Sequence, residues 1–255
     1  NDGNSYANYL GFDYKGNKLS SRPSFEDFFN LRDENGMYLR PVGAFQPIYM
    51  AGYIQEKFAF KDLIFNIGVR VDRFDANQKV LKDPYLFYNA KTAGEVTSLN
   101  SAPVSHPQGI GNDYTVYVDK ANDPTRIVGY RFENTWYNAE GAVIQDPTKL
   151  DVGSGIQPYL VNPGQSRVDI SSFKDYEPEL NIMPRISFSF PISDEALFFA
   201  HYDVLTQRPT SNLFSNPATY YFFESITGTI NNPSLKPTQT IDYELGFTQK
   251  LTNTS

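Results

Sequence analysis

The chain has 255 residues, a formal net charge of −7, 20 Phe and 18 Tyr against a single Trp, and no cysteine. The acidic balance argues against nucleic-acid binding, which needs a basic stripe, and the missing thiols exclude disulfides, thiolate metal sites and thiol nucleophiles. Nothing approaches 18 consecutive apolar residues, so a membrane-spanning helix is excluded while a membrane-spanning strand is not.

In chain order, Ser24-Phe-Glu-Asp-Phe-Phe29 predicts a helix of one or two turns capped by Ser24. Ile48–Phe60 places Ile48, Met50, Ile54, Phe58 and Phe60 on one face of a strand, interrupted by Glu56. Leu63–Phe74 alternates cleanly, with Leu63, Phe65, Ile67, Val69 and Val71 opposite Asn66, Gly68, Arg70 and Asp72. A period of two sustained this long is a strand with one oily and one polar side. Residues 61–62 leave room only for a tight turn. Residues 75–184 form a long connection in which Tyr114–Val118 and Arg126–Phe132 predict one hairpin, and Trp136–Tyr137 with Ala142–Ile144 a second.

The pattern then repeats. Arg185–Ile192 sets Ile186, Phe188, Phe190 and Ile192 against Arg185, Ser187 and Ser189. After a short turn at 193–196, Leu197–Leu205 groups Phe198, Ala200, Tyr202 and Val204, although Leu197 and Phe199 are apolar on the other side. Residues 206–239 are again long. Thr240–Leu251 sets Ile241, Tyr243, Leu245 and Phe247 against Thr240, Asp242, Glu244, Gly246 and Thr248.

Short and long connections in strict alternation are the signature of a transmembrane barrel with tight periplasmic turns and large external loops. The expected fold is all-β, an antiparallel segment of five or six strands from a larger barrel. It divides into an extracellular loop (1–47), a barrel hairpin (48–74), a long extracellular loop (75–184), a hairpin (185–205), a loop (206–239), and a strand with the start of a periplasmic turn (240–255). An odd number of strands leaves open edges that lipid does not tolerate. The chain also starts without Met or a signal peptide. The expectation is therefore an internal piece with termini that are not natural ones.

Several stretches resemble one family. Asn232-Pro-Ser-Leu-Lys-Pro-Thr-Gln-Thr-Ile-Asp-Tyr-Glu-Leu-Gly246 is similar to the entry of TonB-dependent receptors into a late barrel strand, with Thr238 where the family commonly carries Glu. Tyr53-Ile-Gln55 with Gly68-Val-Arg-Val-Asp72 resembles an earlier hairpin of that family. Pro184-Arg185, Phe199-Ala-His-Tyr202 and Gln207-Arg-Pro209 resemble its strand, turn and returning strand. The resemblance spans residues 48–251. It implies a 22-stranded barrel closed by a plug, in the outer membrane of a Gram-negative cell, importing a siderophore, glycan or peptide with energy passed through TonB. The partners it implies are outer-membrane lipid, the remainder of the barrel with its plug, TonB, and a surface lipoprotein or other envelope protein over the long loops. No cofactor is implied.

In that reading Arg70, Asp72, Arg185, His201, Asp203, Asp242 and Glu244 line the lumen and face the plug. Tyr114, Tyr130, Trp136 and Tyr137 are the ligand-platform candidates, against the alternative that they pack the loop's own core. Asp33-Glu-Asn-Gly36 and Asp119 with Asn122-Asp123 suit Ca²⁺ or plain turns, and neither has full calcium-loop spacing. Catalysis is not expected. Only His106 and His201 could anchor a relay, and Glu177 with Glu179 is a carboxylate pair of a common kind. Two other readings compete with transport: a receptor-like barrel serving as a structural or assembly subunit, and a soluble glycan-binding sandwich.

Overall fold

The structure, a computed structural model, describes residues 10–13, 16–211, 213–225 and 230–251. In chain order these form α1 (Phe25–Asn30), β1 (Ile48–Phe60), β2 (Leu63–Asp75), β3 (Lys79–Leu81), β4 (Ser98–Leu99), β5 (Ala102–Pro103), β6 (Thr115–Val118) and β7 (Ile127–Phe132). There follow β8 (Thr135–Asn138), β9 (Val143–Ile144), β10 (Gln157–Pro158), β11 (Phe173–Asp175), β12 (Glu179–Ser193), β13 (Ala196–Gln207), α2 (Pro217–Tyr221) and β14 (Thr238–Gln249). The protein is all-β with antiparallel sheets. Contacts divide it into two compact units, the described residues of 1–80, 174–219 and 223–255, and those of 81–173 with 220–222.

The first unit is built on a five-stranded sheet in the order β1-β2-β12-β13-β14. It does not close, so β1 and β14 each keep an open edge. The β1–β2 connection turns at Lys61, whose φ of 52° is left-handed. Pairing runs unbroken from Ile48 opposite Asp75 to Phe60 opposite Leu63. β2 then pairs with β12 across the whole excursion that holds the second unit, with Val71 opposite Ile182 and Phe65 opposite Phe188.

Because paired residues share a face, the registers fix what each face carries. One face holds Phe58, Phe65, Phe188, Ala200 and Leu245 in one row, and Ile54, Val69, Pro184, Val204 and Ile241 in another. The row nearest the tight turns is Phe60, Leu63, Phe190, Phe198 and Phe247, with the Phe190 and Phe198 rings 5.3 Å apart. This face lies open, with Ile54 72%, Leu245 74% and Phe247 66% exposed. Glu56 interrupts its apolar rows, and Asp75 stands opposite Ile48 at its far end. The opposite face carries the polar residues.

Besides β2, which runs one residue further to Asp75, three strands differ from expectation in extent. β12 begins at Glu179 rather than at 185, so the excursion after β2 covers 76–178. Pro184 lies inside β12 opposite Val69 of β2, where the ladder with β13 has not yet begun, a position that tolerates a missing donor. β13 and β14 extend to Gln207 and back to Thr238. Phe199 also loses its oddity, since a Cβ at Gly246 would lie 2.8 Å from Phe199 Cζ, so that ring covers the glycine beside it, while Leu197 stays exposed. The periplasmic turn expected over 252–255 falls outside the described residues.

Elsewhere in this unit α1 forms as read, with a full capping box between Ser24 and Asp27. A small core of Phe74, Ala76, Val80 and Tyr176 packs at the far end of β2.

The second unit is a sheet in the order β10-β6-β7-β8-β9. Both expected hairpins form, and they join edge to edge as one meander because β7 also pairs with β8. Each face has its own cluster. Val116, Val118 and Tyr130 pack with Ala93 and Val96 on one side, and Tyr117, Trp136 and Leu150 on the other. At Gly129 a Cβ would collide with the Tyr137 carbonyl oxygen and a Leu150 methyl. Gly129→Ala is therefore expected to destabilise this unit by about 1–3 kcal/mol through overpacking. Thermal melting followed by Trp136 fluorescence checks this, and an unchanged midpoint would contradict the packing.

Candidate functional site

All seven polar candidates from the strands fall on one face. Even-numbered residues of β2 and β14 and odd-numbered residues of β12 and β13 share it, which brings Arg70, Asp72, Arg185, His201, Asp203, Asp242 and Glu244 together. Arg185 Nε donates to Asp203 Oδ1 at 3.1 Å, directly across the β12–β13 pair. Arg70 Nε donates to Asp72 Oδ1 at 2.8 Å, and the Tyr49 hydroxyl donates to Asp72 Oδ2 at 2.6 Å. His201 stands between two carboxylates of β14, with Nε2 and Nδ1 each 3.5 Å from Asp242 and Glu244. Asn66 Nδ2 reaches Ser187 Oγ at 3.1 Å in the adjoining row.

The face therefore carries a ladder of charges of both signs that are largely paired with one another. Such pairs, partly open to solvent, contribute about 0–1 kcal/mol each. Their chemical consequence is a wettable surface with donors and acceptors at fixed spacing. Lys57 belongs to the same row as His201, and Arg208 covers the Tyr49 and Phe74 rings at 4.5 and 4.6 Å. Sequence reading passed over both.

The aromatic candidates separate into two pairs. Tyr130 is 2% exposed, and its hydroxyl lies 3.0 Å from His106 Nδ1. Trp136 is 9% exposed and packs against Tyr117. Both belong to the cores of the second unit and offer no face to a ligand, so the packing alternative holds for them. Tyr114 and Tyr137 remain partly open. Tyr114 stacks on Phe132 with centroids 4.9 Å apart, and its hydrogen bond with Tyr137 raises the Tyr114 hydroxyl above its ordinary pKa. Phe132 thus completes an accessible aromatic face that the strand pattern alone did not single out.

His106 is held within the second unit, with Nε2 2.9 Å from the Val96 carbonyl. Glu177 accepts from Lys174 Nζ at 2.6 Å. The acidic stretches act as turns. Asp33 Oδ1 accepts from the backbone of Asn35 and Met37 at 2.9 and 2.8 Å. The Asp119 carboxylate accepts the backbone N–H groups of Thr125 and Arg126 at 2.8 and 3.2 Å, and the Thr125 hydroxyl.

Arg131 is a further charged group that sequence reading missed. It is 3% exposed on β7, donates from Nε to the Tyr117 hydroxyl at 3.0 Å and pairs with Asp83. Burial works against its charge, but Tyr117 and Asp83 outweigh that and raise its pKa. The arrangement braces the sheet, and Asp83 also lines a cavity of about 190 Å³.

Comparison of the chain with protein-family models, with curated proteins and with solved structures gives no match in any of the three.

The turn at Asp119 gives a pH dependence. Burial pushes its carboxyl up, but the Thr125 and Arg126 hydrogen bonds outweigh this and hold it at about 2, below the ordinary 3.8. The folded pKa is lowered, so its contribution to stability is full above about pH 4 and is lost as pH falls towards 2. Melting of the second unit is expected to fall more steeply across that window in the wild type than in Asp119→Asn. Parallel curves would refute the assignment.

Proposed function

We propose that this chain supplies barrel wall and external loops of a TonB-dependent outer-membrane receptor, which binds a scarce nutrient outside the cell and imports it. The observation that carries the reading is the open apolar face of the five-stranded sheet, backed by the charged ladder on its reverse. From Leu63 to Val71 the apolar rows run about 27 Å along the strand at ~3.4 Å per residue. Tilted by ~40°, that is roughly 21 Å of height, close to the ~25 Å apolar band of outer-membrane barrels. Phe residues dominate the two rows nearest the tight turns, where such barrels carry an aromatic girdle. Joining β1 and β14 to further strands would remove both open edges. The polar ladder would then face the lumen and the plug, and the excursions after β2 and β13 would lie outside the cell.

A structural or assembly role draws on one separate observation. The second unit is a packed module whose Tyr130 and Trp136 are buried, which suits a docking surface as well as a ligand trap. Retention of envelope partners by a variant lacking 81–173 would argue against that role.

The absence of cysteine makes the membrane reading directly testable. Single cysteines at Ile54, Ile182 and Leu245, labelled with a fluorophore, should be quenched by a lipid-phase quencher, and those at Asn181 and Thr240 by an aqueous one. Labels at all positions quenched only from water would overturn it. In lipid, Leu245→Arg is expected to cost about 2–4 kcal/mol and Thr240→Arg far less, measured by denaturant unfolding. Equal costs would place both faces in the same surroundings.

A further inference from the structure

A cavity of about 280 Å³ lies over Gly68 in the five-stranded sheet. The registers place Gln55, Gly68 and Arg185 in one row across β1, β2 and β12, and Tyr53, Arg70 and Met183 in the next. All six belong to the polar face by parity and line the cavity. Gly68 leaves the position between Gln55 and Arg185 without a side chain. A Cβ built there would already lie 3.3 Å from Gln55 Cβ.

This lining holds two guanidinium groups and no carboxylate. The carboxylates that pair with them engage only part of each fork. Arg185 gives Nε to Asp203 Oδ1 at 3.1 Å. Arg70 gives Nε to Asp72 Oδ1 at 2.8 Å and Nη2 to the Tyr49 hydroxyl at 3.0 Å. Both terminal nitrogens of Arg185, and Nη1 of Arg70, have no acceptor among the described residues. The same holds for the Tyr53 hydroxyl and the Gln55 amide. A guanidinium is planar and rigid, so a carboxylate on Nε also fixes where the remaining donors point.

Guanidinium nitrogens donate and never accept, so what completes them must be an acceptor. A carboxylate matches the two terminal nitrogens of Arg185 side by side. Charge limits the ligand to a monoanion. Asp72 and Asp203 already offset the two arginines, so a dianion would gain the same donors against more repulsion. Met183, 7% exposed, and Leu205 add apolar wall. The volume falls just below the ~300 Å³ at which pockets for drug-sized ligands begin, which suits one small acid.

We propose that this cavity binds a small monocarboxylate with an apolar body, gripped by the terminal nitrogens of Arg185 with Arg70 beside it. The proposal does not rest on transport or on a closed barrel, because it concerns equilibrium binding to the polar face alone.

Equilibrium dialysis of benzoate against the full chain in a non-ionic detergent tests it, with benzamide as the neutral twin and inorganic phosphate as competitor. Benzoate should bind roughly tenfold or more tightly than benzamide, the worth of one hydrogen bond between charged groups. Phosphate should displace it poorly. Arg185→Met should weaken benzoate about tenfold. Asp203→Asn, which removes a carboxylate and frees Arg185 Nε, should tighten it. Gly68→Ala keeps every charge and should still weaken it, because the added methyl takes up space at the floor. Lys57→Met removes a cation from the adjoining row, outside the lining, and should change affinity less than about twofold. Benzoate binding no tighter than benzamide overturns the proposal, and so do equal losses in Arg185→Met and Lys57→Met. Should Arg185→Met not fold, unchanged affinity in both Asp203→Asn and Gly68→Ala overturns it instead.

Discussion

Five paired strands whose apolar side chains leave mainly from one surface impose the condition on which the rest of this protein depends. Fully burying an Ile, Leu or Phe side chain is worth about 1.5–3 kcal/mol relative to water, and this face presents rows of them in which Ile54, Leu245 and Phe247 are mostly exposed while Val204 is buried. A sheet of that kind needs an apolar medium or an apolar partner to persist. The reverse face meets the opposite need, to be wetted, and its charges stay partly open to solvent while standing across from one another. Arg185 with Asp203, Arg70 with Asp72 and Tyr49, and His201 between Asp242 and Glu244 follow from that need.

The second unit obeys the opposite rule. Its sheet is covered on both faces, and the most enclosed charge, Arg131, is tolerated because Tyr117 and Asp83 meet its donors. Removing a partner from such a group costs more than the pair contributes, since a charge is left uncompensated. The two units thus place their apolar side chains differently. One unit turns its hydrocarbon outward, and the other turns it in upon two small cores.

Much of the strand architecture was legible because a two-residue period is a local property. Ile48–Phe60 is a strand with the bounds its alternation suggests, and Leu63–Asp75 differs by one residue. Grouping Arg70, Asp72, Arg185, His201, Asp203, Asp242 and Glu244 needed only parity within each strand. Where the reading fell short, a local cue conflicted with a distant partner. The alternation was read from Arg185, but β2 recruits the stretch from Glu179 onward. Phe199 sat on the wrong side of its strand until Gly246, 47 positions later, supplied the place its ring fills.

By itself the amino-acid sequence determined the strands, the side each residue takes, and the rhythm of tight turns and long excursions, because all of these depend on neighbours a few positions away. Only the tertiary structure decided that two separate loop hairpins share a ladder, and that Tyr130 and Trp136 lie in cores while Tyr114 and Tyr137 stay open. It likewise assembled the cavity over Gly68 from strands between positions 53 and 205. Those outcomes depend on which distant surfaces meet, and alternation along one strand carries no record of the strand or loop that will cover it.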